Sequence, residues 1–197
     1  MYSHINPYAT WSSSNSKRVV GQVPSVHGAL PFAADPSISN LVTFYFTAFN
    51  PTILNCTVIG RNTFPYFRIT TDSSMPGYTV VKNTDGKKIA LIEWKDRPLI
   101  EVREILSKQM VSQWLPLSAD ASHRTMKVNG GHYIWAPQEQ TICLYPAGTA
   151  TPELLARIFR GEDGTVSLEL TPTAVAAGLL ETSVVATLLL QCGHKID

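Results

Sequence analysis

The chain has 197 residues, enough for one domain with a full core and too few for two comfortable ones. Its 16 Lys and Arg against 15 Asp and Glu leave a formal charge of +1, which speaks against nucleic acid as a partner. Cys56, Cys143 and Cys192 are odd in number and lack Cys-x-x-Cys spacing, which speaks against a disulfide scaffold.

Residues 1–38 are rich in Ser, Pro and Asn and are expected to form a flexible arm, with Tyr2, Tyr8 and Trp11 its main aromatic features. They lack the basic start and apolar core of a secretory signal, so an intracellular protein is expected, cytoplasmic or peripheral to a membrane. Asn55-Cys56-Thr57 matches a glycosylation sequon by coincidence, since it falls in a predicted strand.

From Leu41 onward the text is dense in β-branched and aromatic residues. LVTFYFTAF stops at Asn50-Pro51, where proline cannot continue a central ladder. Strands are expected over 53–60, 63–71 and 78–82, and a turn at Asp85-Gly86 returns the chain as KKIALIEWK over 87–95. A further strand, LIEVREIL, is expected over 99–106. SKQMVSQWLPLSADAS reads as irregular, with a helical turn near Trp114.

HRTMKV and GHYIWA flank Asn129-Gly130, whose residues readily take the positive φ angles of a two-residue hairpin turn. That turn places Met126, Val128, Tyr133 and Trp135 on one buried face and His123, Thr125, Lys127 and His132 on a solvated one. Strands over 141–146, 154–160 and 165–170 complete the β portion. About twelve short strands exceed what an open twisted sheet usually sustains, so closure into a barrel is expected.

The chain closes on TPTAVAAGLLETSVVATLLLQCG, Thr171 to Gly193, apolar on nearly every side. Thr171 suits an N-cap, Pro172 the first helical position and Gly193 the residue after the end. One helix over 172–192, about 30 Å long at 1.5 Å per residue, is expected to thread the barrel. A bilayer span of that length is disfavoured, because Glu181 at the midpoint would cost on the order of 3 kcal/mol in lipid.

LELTPTAVAAGLLETSVVATLLLQCGHKID, KKIALIEW and VSQWL resemble an uncharacterised family of basidiomycete fungi similar to the tubby C-terminal, phospholipid-scramblase and LURP-one-related barrels. The resemblance spans roughly residues 41–197. It implies a mainly β, tubby-like fold, a closed barrel of about twelve strands around a hydrophobic C-terminal helix, occupying 39–197. Tubby-type domains bind phosphoinositide head groups through basic side chains, but no site position is carried over to this chain.

The residues themselves supply the candidates. Glu181, an acid among apolar helix neighbours, is a candidate general acid or base, or a structural partner of Arg68, Arg103 or Arg124. Ser183, Thr187 and Gln191 share a helix face as a mildly polar stripe. His123 and His132 are weak catalytic candidates; the five histidines show no ligand spacing, and neither metal nor cofactor is expected. Lys87, Lys88, Lys95, Arg97 and Arg103 cluster along the chain and are the candidate ligand-binding set.

The reading that follows is a binding module for an anionic lipid head group or another amphipathic small molecule. The alternatives are a small enzyme acting on a hydrophobic metabolite at the barrel mouth, and a protein-interaction domain.

Overall fold

The computed structural model describes residues 40–72, 74–149, 153–161 and 164–197; the arm expected over 1–38 lies outside them. Twelve antiparallel strands carry the fold: β1 (Val42–Thr47), β2 (Cys56–Gly60), β3 (Pro65–Thr71), β4 (Tyr78–Asn83), β5 (Lys88–Glu93), β6 (Leu99–Val102), β7 (Leu106–Met110), β8 (Arg124–Val128), β9 (Gly131–Gln138), β10 (Thr141–Pro146), β11 (Ala156–Arg160) and β12 (Val166–Leu170). They form one sheet in the order β7-β6-β5-β4-β3-β2-β1-β12-β11-β10-β9-β8. Every neighbour in it except the β1–β12 pair is also a neighbour in sequence, so short turns suffice.

The sheet curls into a nearly closed barrel. Its inner surface is set by strand alternation: Ile69, Val81, Ala90 and Val102 are successive register partners across β3 to β6, and all are buried. The β8–β9 hairpin keeps the expected register, with Met126 opposite Tyr133 and Val128 opposite Gly131.

The ladder leaves β7 and β8 unpaired with each other. A short helix, α1 (Val111–Trp114), packs against both, with Val111 and Trp114 buried. Beyond it, Ser118 N donates to His123 O and Thr125 N to Pro116 O, which occupies the free edge of β8. Local chain thus covers the start of β8 at the seam and shortens the open edge.

Two expectations need correction. The run 99–106 is not one strand: it folds back at Arg103-Glu104-Ile105 into β6 and β7, and the SKQM text expected to be irregular belongs to β7. Glu104 takes φ of 64°, and Ile105 N donates to Val102 O. No glycine, asparagine or proline marks this turn, which is why the sequence reads straight through it.

The C-terminal helix is also not continuous. Thr171 caps α2 (Pro172–Ala176) by accepting from Ala174 N at 3.2 Å, as expected. Gly178 then takes φ of +72°, and a second helix, α3 (Leu180–Gln191), starts after it. A left-handed residue ends a helix, and glycine adopts that conformation without strain. The inner rod is therefore 12 residues, about 18 Å. Ten consecutive residues, Thr182 to Gln191, are buried, so α3 is enclosed on all sides and fills the barrel.

The alternation of antiparallel strands sorts the connections into two ends. The entry mouth, where α3 begins, carries α2 and the β2–β3, β4–β5, β6–β7 and β8–β9 turns. The exit mouth, where α3 ends, carries the β1–β2, β3–β4, β5–β6 and β11–β12 loops.

Candidate functional site

Glu181 belongs to the first turn of α3, at the entry mouth, and is half-buried. Because α3 starts at Leu180, the residue expected at mid-helix lies at the rim. Desolvation holds its carboxyl above the ordinary value of 4.5, Glu104 adds to the rise, and Lys87 works against it. None of the arginines expected beside it is in place to pair: Arg103 Nε lies 3.4 Å from Glu104, Arg124 binds Asp197, and Arg68 faces outward on β3. The Lys87 ammonium lies 3.5 Å from the same Glu104 carboxylate. We expect Glu104→Gln to lower the Glu181 pKa and Lys87→Ala to raise it, as read by carboxyl-carbon NMR titration; no movement in either would place Glu181 outside this cluster.

The remaining basic candidates are dispersed. Lys95 and Arg97 lie in the β5–β6 loop at the exit mouth, opposite Lys87, Lys88 and Arg103. Lys95 Nζ is 2.9 Å from Glu93, a buried carboxylate that Lys108 also binds. The Lys108 hydrogen bond, then that of Lys95, lowers the Glu93 pKa, so this trio is a structural clasp on the outer wall. Lys88 and Arg103 flank a smaller groove of about 240 Å³ that also contains Glu101.

His123 and His132 are not brought together. His123 precedes β8, its Nδ1 2.9 Å from Ser122 Oγ, in a loop built on Asp120. Hydrogen bonds from Ser118 and Ser122 lower that Asp120 carboxyl to about 2. His132 is exposed beside the β8–β9 turn, opposite Lys127. Among the described residues no three His, Cys, Asp or Glu side chains converge as metal ligands. Burial pushes the Cys56 thiol up to about 12, which removes it as a nucleophile near neutral pH.

On the polar face of α3, Thr187 Oγ1 donates to Ser183 O at 2.8 Å, an i to i−4 bond within its own helix, whereas Ser183 Oγ and Gln191 Oε1 are buried with no hydrogen-bond partner among the described residues.

The outer wall of β2 to β4 holds a different constellation. A groove of about 920 Å³ runs along it to the entry mouth, lined by Phe64, Tyr66, Arg68 and Lys82. Thr57, Arg68 and Lys82 are successive register partners, so the two cations stand side by side on adjacent strands. Among the described residues neither forms an ion pair. Phe64 is 59% and Tyr66 41% exposed, with the two rings edge to face at 5.8 Å. Tyr66 also meets Phe44 edge-on at 5.1 Å, and a Cβ on Gly60 would lie 2.6 Å from its ring. Gly60 thus provides the space in which Tyr66 packs.

Arg68 and Lys82 are 14 positions apart in sequence, and only the β3–β4 register joins them. The alternation of TFPYFRITT, with Phe67 and Ile69 inward and Arg68 outward, is the signal that could have found one half of the pair.

A family profile matches residues 50–195, three-quarters of the sequence. The chain belongs to DUF6593, a family of unknown function. In this DUF6593 member β1 lies ahead of the matched region yet occupies the middle of the sheet between β2 and β12. Among solved structures, the chain is similar to the X-ray structure of a protein from Arabidopsis thaliana, at 11% identity and a TM-score of 0.42, over 74% of this chain and 89% of that one. No curated protein matches it. No helix among the described residues is long and apolar enough to cross a membrane.

Proposed function

We propose that the protein is a binding module for an anionic lipid head group, engaged through the groove on the outer wall of β2 to β4. The observation that carries this reading is the pairing of Arg68 and Lys82, neither in an ion pair among the described residues, with the exposed ring of Phe64 along one groove that also contains Asp72 and opens at a barrel rim, where the half-exposed Tyr66 packs on Phe44 and Gly60. Cations attract phosphate, while exposed aromatic rings at a rim suit the boundary between head groups and acyl chains. Lys87 and Lys88 stand at the same end and extend the positive field, although Lys87 is partly offset by Glu104. The kinship with tubby-type barrels expected from the closing helix text is part of this reading.

The test is co-sedimentation of the full chain with phosphatidylcholine vesicles, alone or containing phosphatidylserine or a phosphatidylinositol phosphate. Each basic residue near an anionic surface contributes about 1 kcal/mol, so removing the Arg68 and Lys82 charges is expected to weaken binding by about 30-fold. Arg68→Glu with Lys82→Glu should exceed that loss, Phe64→Ser should weaken binding further, and added salt should act in the same direction. Competition by free inositol phosphate separates recognition of the head group from attraction to the surface. Binding that is absent, or unchanged in the double variant, would remove the proposal.

A further inference from the structure

The exit mouth, at the end of the barrel opposite the entry rim, holds a pocket of about 560 Å³ between the β1–β2 loop, the facing chain at Arg160 and Gly164 to Val166, and the last turn of α3. Its volume falls in the range of pockets that hold small ligands. Phe46, Ile53 and Val166 are buried and form an apolar base, and Phe49 at the edge is exposed. Polar side chains interrupt this surface: Thr47, Thr52 and Thr165, with Gln191 from α3 and Arg160 from the end of β11.

Gln191 is the unusual one. It is only 7% exposed, it lines the pocket, and its Oε1 has no hydrogen-bond partner among the described residues. A buried amide oxygen without a donor costs about 1–3 kcal/mol, so the fold carries an acceptor that a ligand can satisfy. Arg160 is exposed and forms no ion pair among the described residues. Its planar guanidinium is suited to a carboxylate.

The end of α3 decides which group goes where. Unpaired carbonyls at a helix C-terminus carry partial negative charge, which disfavours an anion beside Gln191 and favours a neutral donor. The anionic end of a ligand therefore belongs at Arg160. Cys192 also lines the pocket, but burial pushes its thiol up to about 12 and its Sγ donates to Leu189 O at 3.3 Å, so it offers no thiolate for covalent chemistry.

We propose that this pocket binds a small amphipathic hydroxy acid, with its carboxylate on Arg160, its hydroxyl donating to Gln191 Oε1 and its hydrocarbon chain against Phe46, Ile53 and Val166. The site shares no residue with the groove on β2 to β4 and stands without it: Arg68→Glu with Lys82→Glu leaves this binding intact.

The experiment is isothermal titration of the full chain with β-hydroxydecanoate, decanoate and decanol. β-Hydroxydecanoate is expected to bind saturably with one site per chain, and decanoate about 10-fold more weakly for want of one hydrogen bond. Arg160→Gln should weaken both acids by at least about 10-fold and leave decanol unaffected. Gln191→Leu should bind the two acids equally. In the parent chain, β-hydroxydecanoate should shift the side-chain amide resonance of Gln191, a readout that stands even if the Leu variant folds poorly. Absence of saturable binding, acid affinity unchanged in Arg160→Gln, or a silent Gln191 amide would each overturn the assignment.

Discussion

Leu188→Ala is expected to lower the stability of the barrel by about 3–4 kcal/mol, the cost of an enclosed cavity that neighbours cannot refill. Leu188 is fully buried in the middle of α3, where strand side chains surround the helix. Val175→Ala on α2 should change stability by less than about 0.5 kcal/mol, because that side chain is exposed. Two residues 13 positions apart, both in apolar text, thus differ several-fold in effect because the chain breaks between them. Gly178→Ala probes the break itself. A Cβ there would lie 3.7 Å from Asn129 Nδ2, an ordinary contact, so the cost is the left-handed backbone alone, about 1–2 kcal/mol. In a continuous helix the same change would stabilise by up to about 1 kcal/mol. Urea denaturation of the three variants separates the arrangements: equal losses at Leu188 and Val175, or a gain at Gly178, would mean that 171–193 forms one uniformly packed rod.

The strands were legible because their ends are marked chemically. Asn50-Pro51, Asp85-Gly86 and Asn129-Gly130 all fall between strands, and alternation at Met126 and Val128 gives the buried face directly. The turn at Arg103-Glu104-Ile105 was not legible, since a glutamate in a left-handed conformation leaves no compositional trace. The helix break was written in Gly178, but uninterrupted apolarity on both sides outweighed one glycine.

The candidate site was harder to read because charge proximity along a chain is not proximity in an antiparallel barrel. Lys87 and Lys88 precede or open β5, while Lys95 and Arg97 follow it, so one strand length sends them to opposite mouths. Arg68 and Lys82 instead become neighbours through register. The unpartnered oxygen of Gln191 is a property of packing that no sequence pattern carries.

Asp197→Ala is expected to cost about 3 kcal/mol, more than the reciprocal change Arg124→Met. Arg124 lies on the inner face of β8 opposite Trp135 and has no solvent exposure. Its Nη1 donates to Leu115 O at 2.7 Å and to Asp197 Oδ1 at 2.8 Å, and its Nη2 donates to Asp197 Oδ2 at 2.5 Å. A two-pronged contact of this kind is the strongest form of the pair. Removing the Asp197 side chain takes two charge-assisted hydrogen bonds from a guanidinium buried in the wall, and breaking a buried pair from that side is costly. Removing Arg124 leaves a carboxylate that is 38% exposed and can be hydrated, while methionine fills much of the same volume. That change should cost about 1–2 kcal/mol, chiefly for the donor lost at Leu115 O. The double variant should then match Arg124→Met alone, because Asp197 has nothing left to neutralise, giving a coupling of about 3 kcal/mol between positions 73 residues apart. Chemical denaturation of the four proteins closes the cycle. Additive losses would mean that Asp197 contributes independently of Arg124, and the seam between β7 and β8 would then owe its stability to Val111, Trp114 and Leu115 alone.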